Sequence, residues 1–129
     1  DTCIFLNEVG KVAEGPGSCF FMVKGNQLIT PRLTDSVLES ITRDTVIKLA
    51  VNELGMEFVE RTIDRTEVYM ADEAFLCGSA MEVTPIYTVD RYAIGTGEQG
   101  EWTKKIHLKY LEAVQGKLEK YQNWLTKIY

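Results

Sequence analysis

The sequence predicts one mixed α+β domain, with helices flanking a mostly antiparallel sheet, and three observations carry that expectation. Apolar runs come in pairs across short glycine-containing turns, as β-hairpins require. Two stretches, near Thr42–Leu54 and Thr103–Gln115, repeat apolar residues at helical spacing. Strands and helices alternate too seldom for a doubly wound sheet.

The apolar run Cys3–Leu6 predicts a buried strand, and after the turn Asn7–Gly10 the segment Lys11–Glu14 returns antiparallel. Gly15-Pro16-Gly17 breaks the pattern. Cys19–Val23 is a continuous apolar run, expected as a strand buried on both faces. Lys24-Gly25-Asn26 is a hairpin turn, Gln27–Thr30 the returning strand, and Pro31 its end. Thr42 opens the clearest helix. Asp44 lies in its first turn, where a carboxylate suits the positive end of the dipole. Val46, Ile47, Ala50, Val51 and Leu54 share one face, and Gly55 is the C-terminal cap. Glu57–Ile63 reads as a strand, and Asp64 caps a short helix running to Met70. Glu73–Leu76 reads as a buried strand interrupted by Cys77–Ala80. Glu82–Ile86 resumes an extended path that Tyr87–Val89 continues. Gly95, Gly97 and Gly100 mark a loop. Thr103 begins the last long helix, with Ile106, Tyr110, Ala113 and Val114 on one face, and Gly116 ends or bends it. Lys117–Tyr129 is a mixed tail that Trp124 and Leu125 are available to dock. There is no internal repeat and no linker.

The 129 residues suit one domain, and 45% hydrophobic with 26% charged residues is ordinary for a globular fold. A net charge of -5 argues mildly against nucleic acid or an anionic membrane as partner. No apolar run is long enough to span a bilayer, and no stretch reads as a signal peptide. Cys3, Cys19 and Cys77 are odd in number and widely spaced, which suggests neither a disulfide framework nor a zinc site; reduced thiols in a cytoplasmic protein account for them most simply. His107 is the only histidine, so a His-based metal cluster or a Ser-His-Asp triad is not expected. The chain opens on Asp1 and enters an apolar run at once, which suggests a fragment or a processed chain.

Three loops of small residues, each beside a buried strand, are the candidate sites: Glu14–Gly17, Leu38–Thr42 and Cys77–Ala80. At the second, free N–H groups of Ile41 and Thr42, the Thr42 hydroxyl and the helix dipole together make an anion site, but most Ser/Thr caps bind nothing, and the residues alone favour Thr42 as a simple helix cap. At the third, small residues let a ligand approach the backbone closely, or else mark a β-bulge. Glu14 taken alone is an acidic residue beside a glycine turn, usually a solvated position.

In order and spacing the loops are more specific. Val12-Ala13-Glu14-Gly15-Pro16-Gly17-Ser18, Leu38-Glu39-Ser40-Ile41-Thr42-Arg43-Asp44 and Ala71-Asp72-Glu73-Ala74-Phe75-Leu76-Cys77-Gly78-Ser79-Ala80-Met81-Glu82-Val83-Thr84-Pro85-Ile86 resemble the class IV (fold type IV) enzymes that use pyridoxal 5'-phosphate (PLP). Within that class the resemblance is to the branched-chain amino acid aminotransferases. Ile94-Gly95 and Gly100 through Thr103-Lys104-Lys105 add a fourth match. The resemblance implies that residues 1–129 are the C-terminal, PLP-binding domain, truncated at its N-terminal side, with a strongly curved sheet.

It also implies roles. Glu14 pairs with the protonated pyridine nitrogen of PLP and keeps the ring cationic, as an electron sink requires. Leu38 packs against the ring face. Ile41 and Thr42 bind the phosphate, and Ser79 adds a hydroxyl and an N–H to it. The Ala80 N–H helps hold the substrate carboxylate. The implied parent moves an amino group between leucine, isoleucine or valine and 2-oxoglutarate, in the cytoplasm, as a homodimer or larger. A D-amino-acid aminotransferase or an aminodeoxychorismate lyase of the same class is the near alternative. A non-catalytic domain that binds a phosphate ligand or assembles with a partner is the distant one.

Four positions depart from the family pattern. Cys19 stands where asparagine is usual, Ser40 where glycine is usual, Met81 for a small residue, and Trp102 where a smaller residue is common. The Schiff-base lysine of the family lies on a segment before the Glu14 loop. Lys11 is the only lysine upstream of Glu14, and its place three residues away puts it at the wrong end of the ring. No catalytic residue is therefore assigned within the chain, and the chain alone is expected to be inactive.

Overall fold

The computed structural model describes residues 1–128. Its main sheet runs in the order β4-β3-β2-β5-β6, with β1 paired to β2 outside that path. The strands are β1 (Glu14–Gly15), β2 (Ser18–Lys24), β3 (Gln27–Thr30), β4 (Glu57–Glu60), β5 (Glu73–Gly78) and β6 (Glu82–Pro85). Every pairing is antiparallel except β3 with β4. That parallel pair needs a crossover, and the helix α1 (Ile41–Leu54) supplies it. A small separate ribbon joins β7 (Thr88–Val89) to β8 (Tyr92–Ala93). The short α2 spans Arg65–Val68, and α3 spans Glu101–Val114.

The central strand β2 is buried on both faces, as its unbroken apolar run requires. Its alternate residues divide the core in two. Cys19, Phe21 and Val23 join Val46, Leu49 and Ala50 of α1 and Ile106, Tyr110 and Ala113 of α3. Phe20 and Met22 join Val12, Ile29, Ile63, Val68, Leu76 and Ile94 on the opposite face. Phe21 stacks on Phe75 of β5 with ring centroids 5.1 Å apart. Burying one such phenyl ring contributes about 1.5–3 kcal/mol.

Several sequence-level expectations are corrected. Cys3–Leu6 is not a buried strand: Phe5 is 48% and Leu6 42% exposed, and only a single bridge links Leu6 to Val12. The antiparallel return is real, since Phe5 donates to the Glu14 carbonyl and Ala13 to that of Phe5, but no element covers its outer side. On α1 the buried residues include Leu49, whereas Val51 is 39% exposed. β4 stops at Glu60 rather than Ile63. β5 continues through Cys77 and Gly78, which pair with Val83 and Glu82. Helix α3 starts at Glu101, two residues early, because the Glu73 carboxylate accepts the N–H groups of Trp102 (3.0 Å) and Thr103 (2.7 Å) and the Thr103 hydroxyl (2.7 Å). Val114 faces outward. Of the tail, Glu119–Trp124 is a 3-10 helix in which Trp124 packs on Tyr121 and stays 36% exposed; Tyr129 lies outside the described residues. No helix is long and apolar enough to cross a membrane, among the described residues.

Candidate active site

The three small-residue loops come together at one end of the β2–β5 ladder. In register, Glu14 lies opposite Cys19 and Cys19 opposite Cys77, so three residues form a row across β1, β2 and β5. The first and third loops touch backbone to backbone. A Cβ at Gly78 would lie 2.7 Å from the Gly17 carbonyl oxygen, so glycine is what permits that approach. The first and second loops are joined by a hydrogen bond in which Leu38 N–H donates to Glu14 Oε2 at 2.9 Å. The Cys19 thiol makes a long contact, 3.9 Å, with the Leu38 carbonyl.

The second loop leads into α1. Ser40, not Thr42, is the N-cap: its hydroxyl accepts the Arg43 N–H at 3.2 Å. Its backbone is extended, with φ -128° and ψ 131°, a conformation that any L residue adopts, so serine costs nothing where the family pattern has glycine. The cap leaves the N–H groups of Ile41 and Thr42 without an acceptor among the described residues, at the positive end of a 14-residue helix. Thr42 is buried, whereas Leu38 and Ile41 are 75% and 89% exposed. Beneath the helix start, Arg43 is buried and gives Nη2 to Glu60 (2.7 Å) and to the Pro31 carbonyl (3.2 Å). This ties α1 to β4 and to the end of β3.

Ser79 and Ala80 are exposed on the connection between β5 and β6. Glu82, which closes it, has a left-handed φ of 50°. Met81 turns back onto the second core rather than into the loop cluster. Glu14 touches Leu38, Ile41 and Thr42 open the helix that follows, and Ser79 and Ala80 follow Gly78, which abuts Gly17. Of two hollows nearby, one of about 1120 Å³ is lined by Pro16, Leu76 and Met81. The other, of about 330 Å³, is lined by Ile41, Thr42 and Tyr110. Neither takes in Glu14 or Ser79.

Two features escaped the sequence reading. One is the cap that Glu73 places on α3. The other is the cysteine pair: Cys19 and Cys77 face each other on the helix-covered side of the sheet, both buried and unbonded. The Cys77 thiol lowers the Cys19 thiol, to about 7, with help from the Ser40 hydroxyl and Arg43 and against burial. The same contact, together with burial, pushes Cys77 up. Neither signal is visible without the strand order.

The family model described as "Amino-transferase class IV" matches residues 1–89. The chain belongs to the class IV aminotransferases. Among class IV relatives it is 47% identical over 129 residues to a probable branched-chain-amino-acid aminotransferase of Aquifex aeolicus. It is 44% identical over 128 residues to the branched-chain-amino-acid aminotransferase of Pseudomonas aeruginosa. These alignments take in 100% and 99% of the chain but 42% and 41% of the relatives. A crystal structure of the Thermobaculum terrenum branched-chain amino acid aminotransferase in its PLP form superposes with a TM-score of 0.95 at 55% identity, covering 98% of this chain and 41% of that one. The branched-chain aminotransferase of the archaeon Thermoproteus uzoniensis, solved with norvaline, gives a TM-score of 0.93 at 45% identity, with 99% and 42% covered. The class IV chain described here therefore spans about two-fifths of the length of the relatives it matches.

Proposed function

We propose that this chain is the PLP-binding portion, residues 1–129, of a branched-chain amino acid aminotransferase, acting on branched-chain amino acids and 2-oxoglutarate. The observation that carries the reading is the row Glu14–Cys19–Cys77 with the start of α1 beside it. It sets a carboxylate at one end of the loop cluster and two unclaimed N–H groups at the helix start. Those residues fit PLP. Glu14 Oε2 is occupied by Leu38, while Oε1 has no partner among the described residues and is available to a pyridinium N–H. Ile41 and Thr42 N–H suit the phosphate dianion. Ser79 would add its hydroxyl, Ala80 N–H would take the substrate carboxylate, and Leu38 would lie on the ring.

Bound there, PLP supplies the electron sink for the carbanion at the substrate α-carbon. The chain's own contribution is positional. Glu14 holds the proton on the pyridine nitrogen. The helix start fixes the far end of the cofactor. Gly15 and Gly78 let the first and third loops pack closely, since a Cβ would lie 2.6 Å from the Ser18 hydroxyl at the one and 2.7 Å from the Gly17 carbonyl oxygen at the other. Lys11 is engaged with Asp64 across an isolated bridge and is not available to act at the reacting carbon. We propose accordingly that the Schiff-base lysine comes from elsewhere in the parent. The exposed Leu38 and Ile41 fit further protein packing over the site in a homodimer, and the free thiols fit a cytoplasmic setting.

Grafting decides the matter. The chain replaces the corresponding stretch of the Thermobaculum terrenum enzyme, and the chimera is assayed with leucine and 2-oxoglutarate. The chimera is expected to transaminate, and Glu14→Ala within it to lose activity by at least about a hundredfold. The 129-residue chain alone is expected to show no visible aldimine absorbance that borohydride traps at one defined lysine. A folded, PLP-loaded chimera without activity overturns the assignment, as does leucine transamination by the chain alone.

A further inference from the structure

We infer that Cys19 and Cys77 form a modification site: a buried dithiol that a hydroperoxide converts to a cross-strand disulfide between β2 and β5. Three observations carry this. The two residues are direct partners in the antiparallel register, and both side chains lie on the face that packs against α1 and α3. Direct partners on one face have Cα atoms about 4.5–5.5 Å apart, within the range that disulfides span. Both sulfurs are thiols, bonded to nothing.

The surroundings make the pair unequal. Cys19 lies beside the Ser40 hydroxyl and the Arg43 guanidinium, and its thiol falls to about 7, so it carries the nucleophilic thiolate. Cys77, pushed up by Cys19 and by burial, remains a thiol. The chemistry then balances. The Cys19 thiolate attacks a peroxide oxygen, the O–O bond breaks, and hydroxide or alkoxide leaves with the electron pair, giving a sulfenic acid. The Cys77 sulfur attacks the Cys19 sulfur, the S–O bond breaks, and the Cys77 proton leaves with the hydroxyl as water. Two thiols are oxidised and one peroxide is reduced. Cys19 is 3% and Cys77 0% exposed, so only a small oxidant entering beside the exposed Leu38 reaches them. Cys3 is exposed, belongs to no strand of the sheet and takes no part. The bond does not depend on what the neighbouring loops hold.

The test uses the 129-residue chain with Cys3→Ser, treated with hydrogen peroxide, then unfolded and alkylated. The expected product has lost two hydrogens, resists alkylation at both remaining cysteines, yields a linked Cys19–Cys77 peptide on digestion, and returns to two alkylatable thiols with dithiothreitol. Adding Cys77→Ser, which keeps a hydroxyl donor beside Cys19, should leave Cys19 as a dimedone-reactive sulfenic acid; the linked-peptide readout with Cys77 present stands even if circular dichroism shows the serine variant unfolded. Two fully alkylated thiols after treatment, or stepwise oxidation to sulfinic acid with no linked peptide while Cys77 is present, overturns the proposal.

Discussion

Glu14 holds Leu38: its Oε2 accepts the Leu38 backbone N–H at 2.9 Å, and so couples the first strand to the approach of α1. The contact separates shape from charge. Glu14→Gln keeps an acceptor oxygen and is expected to leave the urea midpoint nearly unchanged, whereas Glu14→Ala should cost about 1 kcal/mol. In the chimera with the Thermobaculum terrenum enzyme both should abolish transamination, because neither holds a proton on a pyridine nitrogen. A glutamine variant that retains full activity would rule out the charge-based role.

Gly78 is predicted to tolerate no side chain. A Cβ there meets the Gly17 carbonyl oxygen at 2.7 Å and the Ser18 Cα at 3.5 Å, and both are backbone atoms. Gly78→Ala must push two loops apart, at about 1–3 kcal/mol. A thermal melt within error of the parent would show that the loops do not press together.

Glu73 is expected to matter more than its place at a strand end suggests. Its carboxylate takes two N–H groups and a hydroxyl at the start of α3. Glu73→Ala should cost about 1–3 kcal/mol by leaving those donors unpaired, with Glu73→Gln intermediate. Helical ellipticity and the urea midpoint are the readouts; no change in either would contradict the cap.

Acid should destabilise the chain within a defined window. Arg61 holds Glu67 below its ordinary 4.5. The Gly25 N–H and then Lys24 hold Asp72 below 3.8. Tyr121 and then Lys120 hold Glu53 below 4.5. Groups depressed by folding contribute stability above their unfolded values, and that stability is lost as pH falls through the folded values. These groups are largely solvated, so each contributes little. The urea midpoint should be level from pH 7 to about 5 and decline progressively below about 4.5. Glu67→Gln should flatten part of the decline. A midpoint unchanged from pH 5 to pH 3 would sink the assignment.

What the sequence made legible follows from the range of the forces involved. Gly55 closes α1 with a φ of 66°, and Gly25-Asn26 turns β2 into β3, because those choices are decided within a few residues. The unbroken run Cys19–Val23 announced a strand covered on both sides. Phe5 and Leu6 misled because apolarity reports that a residue prefers cover, not that cover is present. The helix start was misplaced on Thr42 because two hydroxyls stand within three residues of each other, and only the extended backbone of Ser40 tells them apart. Of the site, the loops could be found from their small residues. The facing of Cys19 and Cys77 could not, because it depends on which strand lies beside β2.

The single parallel pair has a bearing on how the chain reaches this structure. β3, a 3-10 turn at Leu33–Asp35, α1 and β4 follow one another, so that crossover closes a shorter stretch of chain than the β2–β5 ladder does. The β2–β5 ladder joins strands that lie on either side of the entire crossover. Loop-closure entropy favours the short closure first. The crossover, tied by Arg43 to Glu60, can therefore form before the β2–β5 ladder, and the row Glu14–Cys19–Cys77 is complete only once that ladder pairs. Amide hydrogens of β5 should gain protection after those of α1 during refolding, so the cluster of small-residue loops should close late.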